Sequence, residues 1–186
     1  MKFANTPNLD QKCSEVHQGA QSLMDQLQLE DAYEVTKRCL IQIISAHSQL
    51  HPQMLSLLNT MKNILVEVND ITMALECCRA ALYCSDAING CDSLESARLH
   101  TELAALLFRQ QCYYESIIHS KIAVAVYSLL NGAQSTRVKE VMLNMGMGYM
   151  NVGKLEEAIR CFDMVMTLEK GNAYLNACYY GCVINA

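Results

Sequence analysis

Residues 142–166 read MLNMGMGYMNVGKLEEAIRCFDMVM, two apolar stripes separated by the polar break Asn151-Val152-Gly153. Met142, Met145 and Tyr149 recur at three- and four-residue steps before the break, and Ala158, Phe162 and Val165 do so after it. Such steps place side chains on one face of an α-helix, so the stretch reads as two amphipathic helices joined by a short turn. The small residue Ala158 has counterparts at Ser116, Ala74 and Ala32, each 42 residues from the next. A fixed interval kept three times marks an internal repeat.

The rest of the register agrees. Nine residues before each small residue stands a large apolar side chain, at Leu23, Leu65, Leu107 and Tyr149. Seven and eight residues after it come Cys39 and Leu40, Ala81 and Leu82, Ala123 and Val124, and Val165 and Met166. Within each unit the break carries turn residues, as at Asn69-Asp70, where a short polar side chain can cap the second helix. Between units lie the joints His47 to Gln53, Asn89-Gly90-Cys91-Asp92 and Asn131-Gly132-Ala133-Gln134, where glycine suits the left-handed residue that ends a helix. Ser93 or Asp92, and Ser135 or Thr136, are candidate caps for the helices that follow. The expected layout is a set of helix pairs at about 14–48, 52–88, 93–130 and 135–169, with a ninth helix from about 172. Residues 1–13 are expected to be a flexible N-terminal segment and 14–186 a single repeat domain. A lone pair cannot bury both of its stripes, so the pairs should stack into a curved solenoid.

Composition supports this reading. The chain has 186 residues, 52% of them apolar, and a net charge of -5, the profile of a folded globular protein. Proline occurs only twice, at Pro7 and Pro52, so the main helix breaker is nearly absent. No stretch approaches the roughly 18 consecutive apolar residues of a membrane span, and the first ten residues contain no apolar run of a signal peptide. A cytoplasmic protein without membrane insertion is therefore expected. The ten cysteines, in a chain with an ample aliphatic core, are expected to be reduced and mostly buried.

The fourth unit, with Met142, Met145-Gly146, Tyr149, Gly153, Ala158, Phe162 and Val165, resembles the tetratricopeptide-repeat pattern, Met142 standing where that pattern has tryptophan. The resemblance implies an all-α, right-handed superhelix of stacked antiparallel helix pairs, here four pairs plus a C-terminal helix. The 42-residue unit is similar to the repeats of kinesin light chains and of the clustered-mitochondria protein. In the family, the first helices of successive units line a concave groove that holds a partner. Transferred by register, the groove residues are His17, Gln21, Asn59, Asn63, Arg98, Thr101, Arg109, Glu140 and Asn151. Asparagine and arginine there could grip the amides and carboxylates of an extended peptide.

Other constellations point away from chemistry. Cys77, Cys78, Cys84 and Cys91 form no Cys-x-x-Cys pair, and His47 and His51 lack the glutamate that a metalloprotease helix needs. Gly146-Met147-Gly148 is followed by no lysine-serine pair of a phosphate loop. No catalytic residue, metal or cofactor is expected. Met142, Met145, Met147, Met150, Met164 and Met166 read as core, with Met147 and Met150 best placed to reach the groove. Lys37-Arg38 is the only adjacent basic pair, so RNA association rests on the clustered-mitochondria resemblance alone. The nearly uncharged segment with Tyr174, Leu175, Tyr179, Tyr180, Val183 and Ile184 is expected to continue the array or to support self-association. The expected function is a scaffold or adaptor binding a protein or peptide. The alternatives are an RNA-associated mitochondrial-organisation factor, or a helical appendage of a larger enzyme such as a SET and MYND methyltransferase.

Overall fold

The computed structural model describes residues 7–46 and 52–166, together with residues 178 and 182. The described residues form α1 Pro7–Asp25, α2 Leu29–Ala46, α3 Pro52–Glu67, α4 Ile71–Asn89, α5 Leu94–Arg109, α6 Tyr113–Asn131, α7 Thr136–Asn151 and α8 Leu155–Met166. The second helix of each pair starts at residue 29, 71, 113 or 155, so the 42-residue interval of the sequence is also the interval of the structure. α1 starts at Pro7, earlier than the expected start near residue 14, and the segment expected to be flexible is helical from Pro7 on. Proline suits the first helical position, because its missing N–H would have no intrahelical acceptor there. The expected ninth helix lies outside the described residues except for Cys178 and Cys182, both helical, and so does most of the joint at 47–53.

One turn builds all four pairs. Leu27, Asn69, Gln111 and Gly153 occupy the same register position, with φ of 62°, 62°, 62° and 75°. Each ends its helix in the left-handed conformation and donates its N–H to the carbonyl three residues back, at Met24, Val66, Phe108 and Met150. The next residue donates five back, as Asp70 N does to Leu65 O at 2.8 Å and Cys112 N to Leu107 O at 2.9 Å. This doubled closure satisfies the terminal carbonyls of the first helix. The small residue of each repeat then makes the first bond of the second helix, as in Ala158 N to Lys154 O, 3.1 Å. Asp70 also caps its helix through its side chain, which accepts from Met73 N at 3.0 Å. At the joints, Gly90 and Gly132 take φ of 86° and 85°, and Ser93 and Ser135 cap α5 and α7 by accepting from Ser96 N and Val138 N.

Packing divides the chain into two compact units, 1–90 and 91–186, where the sequence had suggested one domain. The division falls at the Asn89-Gly90-Cys91-Asp92 joint. In the first unit α1 packs on α2, α3 on α4, and α3 lies against both α1 and α2. In the second, α5 pairs with α6 and α7 with α8, while α7 lies against α6 and touches α5. Each unit thus has its two first helices side by side.

The core follows the register. Ala32, Ala74, Ser116 and Ala158 are all buried, and Ser116 donates its hydroxyl to Ala104 O on the paired helix at 2.8 Å. In the fourth pair a Cβ on Gly146 would lie 2.5 Å from Cε1 of fully buried Phe162, so glycine is what lets that ring in. Met142, Met145, Tyr149 and Cys182 belong to the same core. Met147 and Met150 are half-buried beside it, and Met164 is exposed.

Candidate functional site

The nine candidate groove residues all lie on first helices, and the side-by-side packing brings them together in two groups. In the first unit His17 and Gln21 stand on α1, Asn59 and Asn63 on α3. His17 Nδ1 is 2.7 Å from Thr60 Oγ1, across the two helices. Thr60 in turn donates its hydroxyl to Ser56 O at 3.0 Å. A hydroxyl has one proton, so with that proton on Ser56 O, Thr60 accepts from His17. A neutral imidazole in this arrangement carries its proton on Nδ1 and keeps Nε2 as an acceptor. Asn63 is exposed, Asn59 is half-buried with Oδ1 enclosed and lacking a hydrogen-bond partner, and Gln21 Nε2 donates to Asp25 at 3.3 Å.

In the second unit the candidates make contacts within their own helices. Arg98 makes a two-pronged pair with Glu95, at 2.6 and 3.0 Å, and a further bond to Glu102. The hydrogen bond to Glu95 above all, with the charge of Glu102, raises its pKa and holds the guanidinium charged. Thr101 donates to Ala97 O at 2.9 Å, Asn151 Nδ2 to Met147 O at 2.8 Å, and Glu140 pairs with Arg137 at 3.5 Å. Arg109 is exposed at the end of α5. An arginine already matched by two carboxylates positions its own helix more than it attracts a ligand.

Reasoning from sequence did not find the clefts. One of about 530 Å³ in the first unit is lined by Glu30, Tyr33 and Glu34 of α2 and by Leu65, Asp70 and Met73 of the second pair, among others. One of about 430 Å³ in the second unit is lined by Tyr114, Ile117, Ile118 and Lys121 of α6, by Tyr149 at the end of α7, and by Lys154, Glu157 and Arg160. These are the same place in the repeat, displaced by two periods: residues 30, 33, 34, 65, 70 and 73 correspond to 114, 117, 118, 149, 154 and 157. Their charges are opposite. The first carries Glu30, Glu34 and Asp70, the second Lys121, Lys154 and Arg160 with a single carboxylate, Glu157. A shallower cleft of about 250 Å³ lies between α1 and α2, lined by Lys12, Val16, Val35, Arg38, Cys39 and Gln42. None of the nine groove candidates lines any of these three clefts. The signal was present in the sequence as a column-by-column comparison of charge.

Three of the buried thiols are set against nucleophilic use. Burial pushes Cys77 and Cys161, which are repeat equivalents, up to about 11, and it raises Cys84 as well. A reactive cysteine needs the opposite shift. Cys13 and Cys39 sit with their sulfurs 3.7 Å apart in the core of the first unit, both as free thiols. Among the described residues no group of three His, Cys, Asp or Glu side chains is arranged to hold a metal ion. No helix among them is long and apolar enough to cross a membrane.

No protein-family model and no curated protein sequence matches the chain. Solved structures do. A Podosopora anserina protein of kinesin-light-chain type with nearly identical TPR-like repeats superposes with a TM-score of 0.76 at 12% identity, over 92% of this chain and 85% of that one. MamA gives 0.73 at 11% identity, over 94% and 82%. YrrB, described as a TPR protein with an unusual peptide-binding site, gives 0.68 at 18% identity, over 91% and 75%. The all-α tetratricopeptide-repeat fold implied by residues 142–166 is thus the fold of the chain.

Proposed function

We propose that this tetratricopeptide-repeat chain is a protein-interaction scaffold that holds an extended segment of a partner protein along its first helices and performs no chemistry on it. The observation that carries this reading is the pairing of α1 with α3, which sets His17, Asn59 and Asn63 on adjacent helices and leaves His17 Nε2 as an acceptor. An acceptor on one helix and an exposed amide on the next are suited to the N–H and C=O groups of a peptide backbone, which every sequence supplies. Gln21 extends this surface along α1. In the second unit Arg98, Thr101, Arg109, Glu140 and Asn151 occupy the corresponding first helices, with Arg98 braced by Glu95 and Glu102. The likeness to YrrB, a protein whose peptide-binding site is on record, supports a peptide or protein partner for this chain as well.

The test is a comparison of partners retained by the whole chain and by the variant carrying Asn59→Ala and Asn63→Ala. Asn63 is exposed and Asn59 Oδ1 makes no bond, so neither substitution should unsettle the fold. Loss of a retained protein locates the groove on the first helices of the first unit. An identical set of retained proteins removes the reading.

A further inference from the structure

Positions 114, 118, 122 and 129 of α6 and their repeat equivalents form an outward column that is charged, polar or small in α2 and α4, reaches Met164 in α8, and is large and apolar throughout only in α6. In α2 this column is Glu30, Glu34, Arg38 and Ser45, in α4 Thr72, Glu76, Ala80 and Ala87, and in α8 Glu156, Arg160 and Met164. In α6 it becomes Tyr114, Ile118, Ile122 and Leu129, exposed at 62, 55, 38 and 73%. Those four side chains lie in one helical stripe, on a face where the equivalent residues meet water. A helix of a stable unit has no reason of its own to keep such a stripe, and a contiguous apolar patch rimmed by charge marks an interaction surface.

The rim is cationic. The stripe begins in the cleft of the second unit, where Lys121 Nζ stands 5.8 Å over the Tyr149 ring and Lys154 Nζ 5.9 Å over the Tyr114 ring. Ring faces steady the ammonium groups without neutralising them. Among the described residues none of Lys121, Lys154 and Arg160 forms an ion pair with a carboxylate. Such a cluster is conspicuous in a chain of net charge -5, the more so because the equivalent cleft two repeats earlier carries Glu30, Glu34 and Asp70. A nucleic acid would meet only three cations, with Glu157 among them and aliphatic residues beyond, which is a poor match for a run of phosphates.

We propose that the outer face of α6, with the basic cleft at its start, docks an acidic amphipathic segment of a partner protein. Apolar side chains of that segment cover Ile118, Ile122 and Leu129, while its carboxylates meet Lys121, Lys154 and Arg160. This surface shares no residue with the first-helix groove, so the two can be occupied together and tested apart.

The experiment is a fluorescence-anisotropy titration of the whole chain against a dye-labelled peptide with leucines at helical spacing and glutamates between them. Glutamine-for-glutamate and lysine-for-glutamate versions and a single-stranded RNA oligonucleotide serve as competitors of different chemistry. The glutamate peptide should bind tightest and weaken with added salt, because rim charges are screened. Charge reversal by Lys121→Glu with Arg160→Glu should weaken it by about tenfold or more. Ile118→Ser with Ile122→Ser should do the same, whereas Glu30→Lys with Glu34→Lys in the first unit should leave binding unchanged. All these side chains are exposed or line an open cleft, and circular dichroism checks that each variant keeps its helices. Equal binding of the glutamine peptide, preference for the RNA, no binding of any peptide, or indifference to the charge reversal would each overturn the proposal. Asn59→Ala with Asn63→Ala leaves this titration unaffected, which separates it from the groove.

Discussion

Gly146 and Phe162 show how single residues tune one repeat against the others. The register pairs Ala20 with Thr36, Lys62 with Cys78 and Ala104 with Ser120, so a first-helix residue with a side chain goes with a second-helix residue much smaller than phenylalanine. In the fourth pair the full aromatic ring of Phe162 fills the space that a Cβ on Gly146 would need. Alanine is a better helix former than glycine by about 1 kcal/mol, yet Gly146→Ala should destabilise the chain by roughly 1–3 kcal/mol, because overpacking outweighs propensity. Thermal denaturation checks this, and combining it with Phe162→Cys should cost less than the two single changes added together. The close approach at Gly146 and the burial of Ala158 were legible, because a glycine inside an apolar helical stripe needs a neighbour that excludes its side chain. The state of the groove candidates was less so. Which partner a half-buried Arg98 or Thr101 chooses is settled by rotamers within one helix, and nothing in the sequence singles out Glu95 and Glu102 as the partners of Arg98.

At the level of the helix pair, the recurring device is the left-handed residue between the helices. Two repeats fill it with residues that suit it, Asn69 and Gly153, and two with residues that do not, Leu27 and Gln111. A side chain with a Cβ is strained in that conformation, and Leu27 is also 83% exposed. Gln111→Gly should therefore stabilise the chain by about 1 kcal/mol, visible as a rise of roughly 2–4 °C in the thermal midpoint. A fall would mean that the Gln111 side chain makes a contact that outweighs the relief. The positions of these turns could be read from Asn69-Asp70 and Asn151-Val152-Gly153, but Leu27 and Gln111 carry no turn chemistry and only the 42-residue interval located them. The outer face of α6 was missed for a related reason. A helix with apolar residues on both its core and its outer side shows only a weak stripe, so the departure is visible when the same column is compared across the four pairs.

For the molecule as a whole, a repeat of constant length ties every local feature to a place, and differences between copies then carry the function. Two units each hold a pair of first helices side by side and a cleft beside the second helices, yet the clefts differ in sign of charge and the first-helix faces differ in which groups are already engaged. The period was plain in the sequence while the surface chemistry was not, because the period is set by core positions, which must agree, and the chemistry by surface positions, which need not. The most direct test of the repeat is residue-resolved amide hydrogen exchange. The first N–H groups of a helix have no intrahelical acceptor, so exchange should be fast at residues 29–31, 71, 113–114 and 155–157, with Met73 slowed by its bond to Asp70. Slow exchange should fill the helices between them, giving the same pattern every 42 residues. Protection at those sites equal to that of mid-helix amides, or fast sites at unrelated intervals, would contradict the account.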